Sequence, residues 1–138
     1  MAVNNFSTDL FSLQINGRLI TDFGESDPPV TNAPIDPKST LRRGLGGNAV
    51  RLDRKNPGRT LTVNLNPGGE DSAYMQGLFN SNATISATYY QISSLEAAVG
   101  TEGVIVNDGS VDRGGVTISD DQYIIEFNTW TQQKGGTA

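Results

Sequence analysis

Residues 59–80 constrain the fold more than any other stretch of the sequence. Residues 59–65 alternate apolar and polar side chains, and this period of two predicts a strand with one buried face. Residues 66–69, Asn-Pro-Gly-Gly, predict a sharp turn, because proline cannot donate to a ladder and glycine accepts a positive φ. Acids then precede apolar residues at helical spacing, which predicts a short helix over 71–79. A half-buried strand therefore leads into one helix that packs against a sheet.

The composition is typical of a single, mainly β domain with many turns. The chain has 138 residues, enough for one hydrophobic core, and contains 16 glycines. It has no cysteine and no histidine, which excludes disulfides, thiol nucleophiles and imidazole bases. We interpret the paired acids Glu70-Asp71 and Asp120-Asp121 as solvated residues. We therefore expect no enzymatic activity, no metal site and no cofactor.

No apolar run approaches the roughly 20 residues that a membrane-spanning helix needs. No signal peptide is recognisable before the first strand. We therefore expect a protein that is made in the cytosol and does not bind membranes.

The charge is unevenly distributed along the chain. The net charge is −5, yet residues 38–59 contain seven of the ten basic residues and one acid, Asp53, so this segment carries +6 and the remainder −11. We expect the seven basic side chains to make contacts between subunits: Lys38, Arg42, Arg43, Arg51, Arg54, Lys55 and Arg59.

Most of this basic segment lies within residues 24–57, where the periodicity disappears. Several glycines and the prolines Pro28, Pro29, Pro34 and Pro37 interrupt the stretch, which predicts a long protruding loop, although residues 49–53 could add a strand. Two interpretations remain open. The loop is either solvated and without a partner, or it is an arm that becomes ordered against another molecule.

The remaining elements are predicted from short patterns. Residues 9–23 form a hairpin around Asn16-Gly17, and 83–91 form a strand. Residues 94–99 predict one helical turn, and 103–106 and 116–118 short strands. The last strand covers 122–131.

The hairpin and the last strand carry apolar residues on both faces. In the hairpin, Leu13 faces Ile20 on one side, while Leu10 and Phe23 meet on the other. The last strand likewise places Trp130 on the face opposite its core residues. A bulge that shifts the register would account for this pattern, and so would a neighbouring subunit that covers the outer face.

A repeating assembly of identical subunits accounts for both the charge distribution and the two-sided strands. The basic segment of one copy would lie on the acidic body of the next, and such a head-to-tail contact forms rings or filaments. A nucleic-acid-binding β-barrel that uses the same basic loop is the alternative. However, this loop has no aromatic side chain on which a base could stack.

The chain resembles the tail tube proteins of contractile-tailed bacteriophages and, more distantly, the tube protein of type VI secretion. The resemblance covers nearly the whole chain. It rests on the opening hairpin 15–23 and the long loop after it, on the strand entry 57–63, on the helix 71–79, and on the closing strand 123–127 with its Gly135-Gly136 tail.

The resemblance implies a β-sandwich or barrel with one flanking helix and a structural role without catalysis. Hexameric rings would stack into the inner tube of a virion tail through the 24–57 loop, and ejected DNA would pass through the channel. The tail sheath, tape measure and baseplate proteins would be further partners. A tube initiator, a baseplate component or a secretion-system tube is the alternative role. An acidic lumen is also implied, with Glu126 as the residue we expect to line it.

Overall fold

The computed structural model describes residues 10–92 and 95–134, which form a mainly β fold with one short helix, as predicted. The elements are β1 (Phe11–Ile15), β2 (Arg18–Ile20), β3 (Val30–Pro34), β4 (Ser39–Arg43), β5 (Ala49–Asp53), β6 (Arg59–Leu65), α1 (Glu70–Asn80), β7 (Ile85–Gln91), β8 (Glu96–Asn107) and β9 (Asp121–Lys134).

Seven of the strands form one antiparallel sheet in the order β2-β1-β7-β8-β9-β6-β3. An isolated bridge pairs Phe23, just beyond β2, with Leu65 at the end of β6. Strands from the two sides of the sheet therefore meet, and the sheet curls into a barrel around a single core. Alternate residues point inward, as in β6, where Leu61, Val63 and Leu65 are fully buried.

Helix α1 packs against the interior of the curled sheet. Met75 is fully buried, and the Tyr74 and Leu78 side chains pack against the core. Glu70 and Asp71 lie in the first turn, where negative charge favours a helix. The predicted helix and the strand before it are both confirmed.

The opening hairpin forms around Asn16-Gly17, where φ is 50° and 84°. Leu13 pairs with Ile20, as predicted. The predicted position of Phe23 on the outer face is wrong. The Phe23 ring instead lies 6.1 Å from the ring of Phe11, and both pack against the core.

Strands β8 and β9 form a long ribbon that the sequence patterns only partly predicted. A helical turn was expected over 94–99. Ser94 lies outside the described residues, and for the rest of this stretch the prediction is wrong, because β8 begins at Glu96. The strand expected at 103–106 is part of β8, whereas 116–118 form no strand and belong to the loop between β8 and β9.

An irregularity in β8 changes which face of the ribbon meets the core. Thr101 and Glu102 are both exposed, and Glu102 has a φ of 56°, so the inward-pointing residues shift from Gly100 to Gly103. Trp130 pairs with Gly100 and packs against Tyr89, with ring centroids 6.3 Å apart. The predicted outward position of Trp130 is therefore wrong, because the alternation of β9 does not continue unchanged past Asn128.

The segment 24–57 is not the irregular loop that we predicted. β3 pairs with β6 along the sheet edge, and β4 pairs with β5 in a separate two-stranded hairpin. The predicted strand over 49–53 is confirmed as β5. An alternating apolar pattern did not mark β3 and β4 because few of their side chains are buried, and Pro34 is tolerated because β3 is an edge strand.

Candidate assembly surfaces

The β4–β5 hairpin projects from the barrel at the beginning of β6. All residues of both strands are exposed except Ser39, which is half-buried. A two-stranded hairpin is marginally stable alone in water, and this one packs no side chain into the described core. The hairpin is therefore suited to become stable by contact with another molecule.

Each face of the hairpin combines basic and apolar side chains. Arg42 lies opposite Val50 on one face, next to the pair formed by Thr40 and Leu52. On the other face, Arg51 donates from Nε to Asp53 Oδ1 at 2.9 Å, which partly neutralises both groups. Within the part of the chain that the structure describes, the other hairpin cations form no ion pair: Lys38, Arg42, Arg43, Arg54 and Lys55.

Arg59 differs from the other six predicted contact residues. It begins β6, is half-buried, and donates from Nε to Asn32 Oδ1 at 2.8 Å, while Asn32 also donates to the Tyr89 hydroxyl at 3.1 Å. The structure thus brings six of the seven residues together on the hairpin and places Arg59 in the barrel wall. Its role between subunits stays a prediction.

The tip of the hairpin presents an apolar side chain. The turn is closed by the Gly44 N–H, which donates to the Asn48 carbonyl at 2.7 Å, and Gly47 has a φ of 92°. Leu45 lies at the outer end of this turn and is fully exposed at 110 %. An exposed apolar side chain, flanked along the chain by cations, therefore lies at the tip of the hairpin.

Carboxylates gather around the opposite end of β6. Asp120 accepts hydrogen bonds from the backbone N–H groups of Glu25 and Ser26 at 3.0 and 2.9 Å, and these bonds lower its pKa. Gly24 permits this contact, because a Cβ there would lie 2.3 Å from Asp120 Cγ. Since β6 has seven residues, this acidic end lies about 20 Å from the base of the hairpin.

Asp71 connects the helix to the opening hairpin. Its carboxylate accepts from Arg18 Nε at 3.0 Å and from the backbone N–H groups of Thr21 and Asp22 at 2.9 Å each. Burial alone raises the pKa of Asp71, but the two backbone hydrogen bonds and Arg18 outweigh it, so the pKa is lowered overall. Asp71 is 5 % exposed, so its interpretation as a solvated residue is wrong.

A groove runs beside the start of α1, at the same acidic end. It holds about 270 Å³ between the helix and the β8–β9 loop, and its lining includes Ala73, Gln76, Asp108 and Val111. Val111 is 58 % exposed. The groove therefore combines small and apolar surface with negative charge.

The outer face of the sheet is a third exposed surface. Tyr90, Val99, Val104 and Val106 are each 45 % exposed on it. Glu126 is exposed on the same face, where it pairs with Thr60 and Val104 across the strands. The outer face thus carries apolar side chains on β7 and β8, whereas the sequence patterns had placed them on the opening hairpin and the last strand, and whether Glu126 lines a channel stays a prediction.

Helix α1 has 11 residues and is too short to cross a bilayer, and the described residues contain no other α-helix. Within residues 10–92 and 95–134, no three carboxylates lie close enough together to hold a metal ion.

The fold is shared with components of contractile injection systems. A chain in the cryo-EM structure of an extracellular contractile injection system, the PVC sheath/tube terminator in the extended state, matches with a TM-score of 0.66 at 13 % identity, covering 96 % of this chain and 99 % of that chain. A chain in the structure of the anti-feeding prophage cap, which terminates the AFP tube, matches with a TM-score of 0.60 at 15 % identity over 98 % and 95 % of the two chains.

A chain in the PVC sheath–tube complex in the extended state also matches, with a TM-score of 0.56 at 13 % identity over 94 % of this chain and 92 % of that chain. At these identities the likeness establishes the fold. No protein-family model matches the sequence, and no curated protein matches it.

Proposed function

We propose that this chain is a structural subunit of a contractile tail or tail-like particle. Identical copies form hexameric rings, and the rings stack into the inner tube of a virion tail through which DNA leaves. The sheath surrounds the tube, and the baseplate and tape measure proteins contact it. The protein performs no catalysis in this role.

The observation that carries the proposal is the projecting β4–β5 hairpin. It is basic and almost fully exposed, and it leaves the barrel at the end of β6 opposite the carboxylates around Asp120. A subunit with opposite charges at its two ends suits head-to-tail association, in which the same pair of surfaces meets at each contact. The full-length match to a chain in a sheath–tube complex also supports this role.

Negative-stain electron microscopy of the purified chain at rising concentration tests the proposal. We expect annular particles with a central hole that lengthen into tubes as the concentration increases. Compact monomers at every concentration, together with DNA binding at physiological salt, would instead favour the nucleic-acid-binding barrel.

An end-of-tube role is the second candidate. Its support is that the matches with TM-scores of 0.66 and 0.60 are to a sheath/tube terminator and a tube-terminating cap. A terminating ring has to stop growth on one side. In the same micrographs, this role predicts single rings that do not lengthen at any concentration.

A further inference from the structure

We infer that the groove beside the start of α1 is the receptor for the hairpin tip of a second copy, with Leu45 inserted between α1 and the β8–β9 loop. This inference rests on the proposed head-to-tail assembly and adds the place on the body where the hairpin binds.

The hairpin tip and the groove both expose apolar side chains. Leu45 is fully exposed at the hairpin tip, and Val111 is more than half exposed on the groove. Ala73, also exposed, lies on the helix side of the same groove and leaves room for a branched side chain. Each surface therefore supplies the apolar contact that the other lacks in a single copy.

The hairpin tip and the groove carry opposite charges. Arg42 and Arg43 directly precede the hairpin tip and form no ion pair within the described residues. The groove lining includes Asp108, which likewise has no ion pair there, and Asp121, whose charge Arg113 partly neutralises at 2.7 Å. Opposite charges at the two rims fix the orientation of the tip and speed its association.

The hairpin and the groove lie at opposite ends of β6. The hairpin leaves the barrel beyond Pro34 and Arg59, at the beginning of β6, whereas the groove lies at the end of β6. The two surfaces are therefore different patches on one subunit, so the contact is head-to-tail and repeats from copy to copy.

Disulfide mapping tests this placement, because the chain contains no cysteine. Full-length Leu45→Cys is mixed with full-length Ala73→Cys and oxidised mildly. A disulfide forms only when the two Cα atoms come within about 7 Å, so we expect a cross-linked dimer that reducing agent reverses. The double variant Leu45→Cys/Ala73→Cys should give a ladder of multimers, because each copy then carries one tip and one groove.

In the matched control, full-length Leu45→Cys is mixed with full-length Gln14→Cys. Gln14 is exposed on the outer face of β1. We expect about tenfold less mixed dimer from this pair, because the sites do not meet. Each single variant alone measures tip–tip or groove–groove products. Equal yields from the two mixtures, or no product from Leu45→Cys with Ala73→Cys, would overturn the groove assignment.

A charge exchange provides a second readout. A protein carrying Asp108→Lys should bind the wild-type hairpin about tenfold more weakly, or weaker still. A second protein carrying Arg42→Glu and Arg43→Glu should restore binding to the Asp108→Lys protein, because the charges of hairpin and groove are then exchanged. Micrographs of the wild type, recorded in parallel, separate the two proposals. Tubes that form without the cross-link or the charge rescue would overturn the groove assignment and leave the proposed tube function intact. Absence of any assembly would overturn both proposals.

Discussion

At the scale of single residues, Asp71 is the charged side chain whose loss we expect to be most costly. Its carboxylate holds Arg18 and two backbone N–H groups, and it is 5 % exposed. Asp71→Asn removes the charge and leaves these donors poorly paired, so we expect the free energy of unfolding to fall by about 2 kcal/mol in urea denaturation. Glu70→Gln is the matched control, since Glu70 lies 4.0 Å from Arg18 with a fully exposed side chain and should change stability by less than about 0.5 kcal/mol. Equal losses from both variants would contradict this role.

The same carboxylate makes stability depend on pH. The pKa values of Asp71 and Asp120 are both lowered from the ordinary value of 3.8, so folding favours their ionised forms. Their contribution to the free energy of unfolding is complete above the unfolded-state pKa and is lost as the pH falls through the lowered folded-state pKa. Urea midpoints should therefore be flat from pH 7 to about pH 5 and fall below about pH 4. Asp71→Asn should flatten this decline, and an unchanged pH profile in the variant would contradict the assignment.

Replacing two glycines by alanine should change the stability of the fold in opposite directions. A Cβ at Gly103 would lie 2.4 Å from Phe127 Cδ1 and 3.0 Å from the Ile85 carbonyl, so we expect Gly103→Ala to destabilise the fold by about 1–3 kcal/mol. A Cβ at Gly77, in α1, meets nothing within 4 Å. Gly77→Ala should therefore stabilise the fold by about 0.5–1 kcal/mol, because alanine favours the helix. Thermal unfolding of the two variants beside the wild type checks both signs.

Individual side-chain roles were the hardest feature to predict from the sequence. The partners of Asp71 come from β2 and from the backbone just after it, and no local pattern near residue 71 reports them. Trp130 was misplaced because the irregularity at Glu102 has no signature that alternation alone reveals. The close Gly100 contact of Trp130 explains the position afterwards, since a Cβ there would lie 2.6 Å from the indole.

At the scale of elements, the β4–β5 hairpin should be dispensable for folding. Because its side chains do not join the core, replacing residues 39–53 with a short glycine-serine linker should change the unfolding midpoint little. The same variant should not form rings or tubes, because the basic arm is gone. Circular dichroism measures the first effect and electron microscopy the second. Unfolding of the barrel on replacement would show that the hairpin has a structural role within its own subunit.

The elements that the sequence predicted well are those whose burial alternates cleanly. β6 buries every second residue, and Asn16-Gly17 specifies a tight turn, so both were predicted from local patterns. β3 and β4 were missed because exposed strands have no apolar alternation to detect. The beginning of β8 was missed because Ala97, Ala98 and Gly100 provide little β-propensity, and strand pairing with β7 and β9 overrides that local preference.

At the scale of the whole molecule, charge is divided between the two ends of β6. The hairpin cations project at one end, and the carboxylates around Asp120 and α1 lie at the other, while the chain as a whole carries −5. This division was predicted from the sequence as an uneven charge distribution along the chain. Its placement at opposite ends of one strand required the fold, because the acidic residues come from separate loops.

A cryo-EM reconstruction of the assembled wild-type protein would show directly whether the hairpins join successive rings. We expect stacked rings in which each β4–β5 hairpin contacts a subunit of the next ring at the acidic end, close to α1. Rings whose hairpins point into solvent, or an assembly in which like ends of the subunits meet, would contradict this prediction.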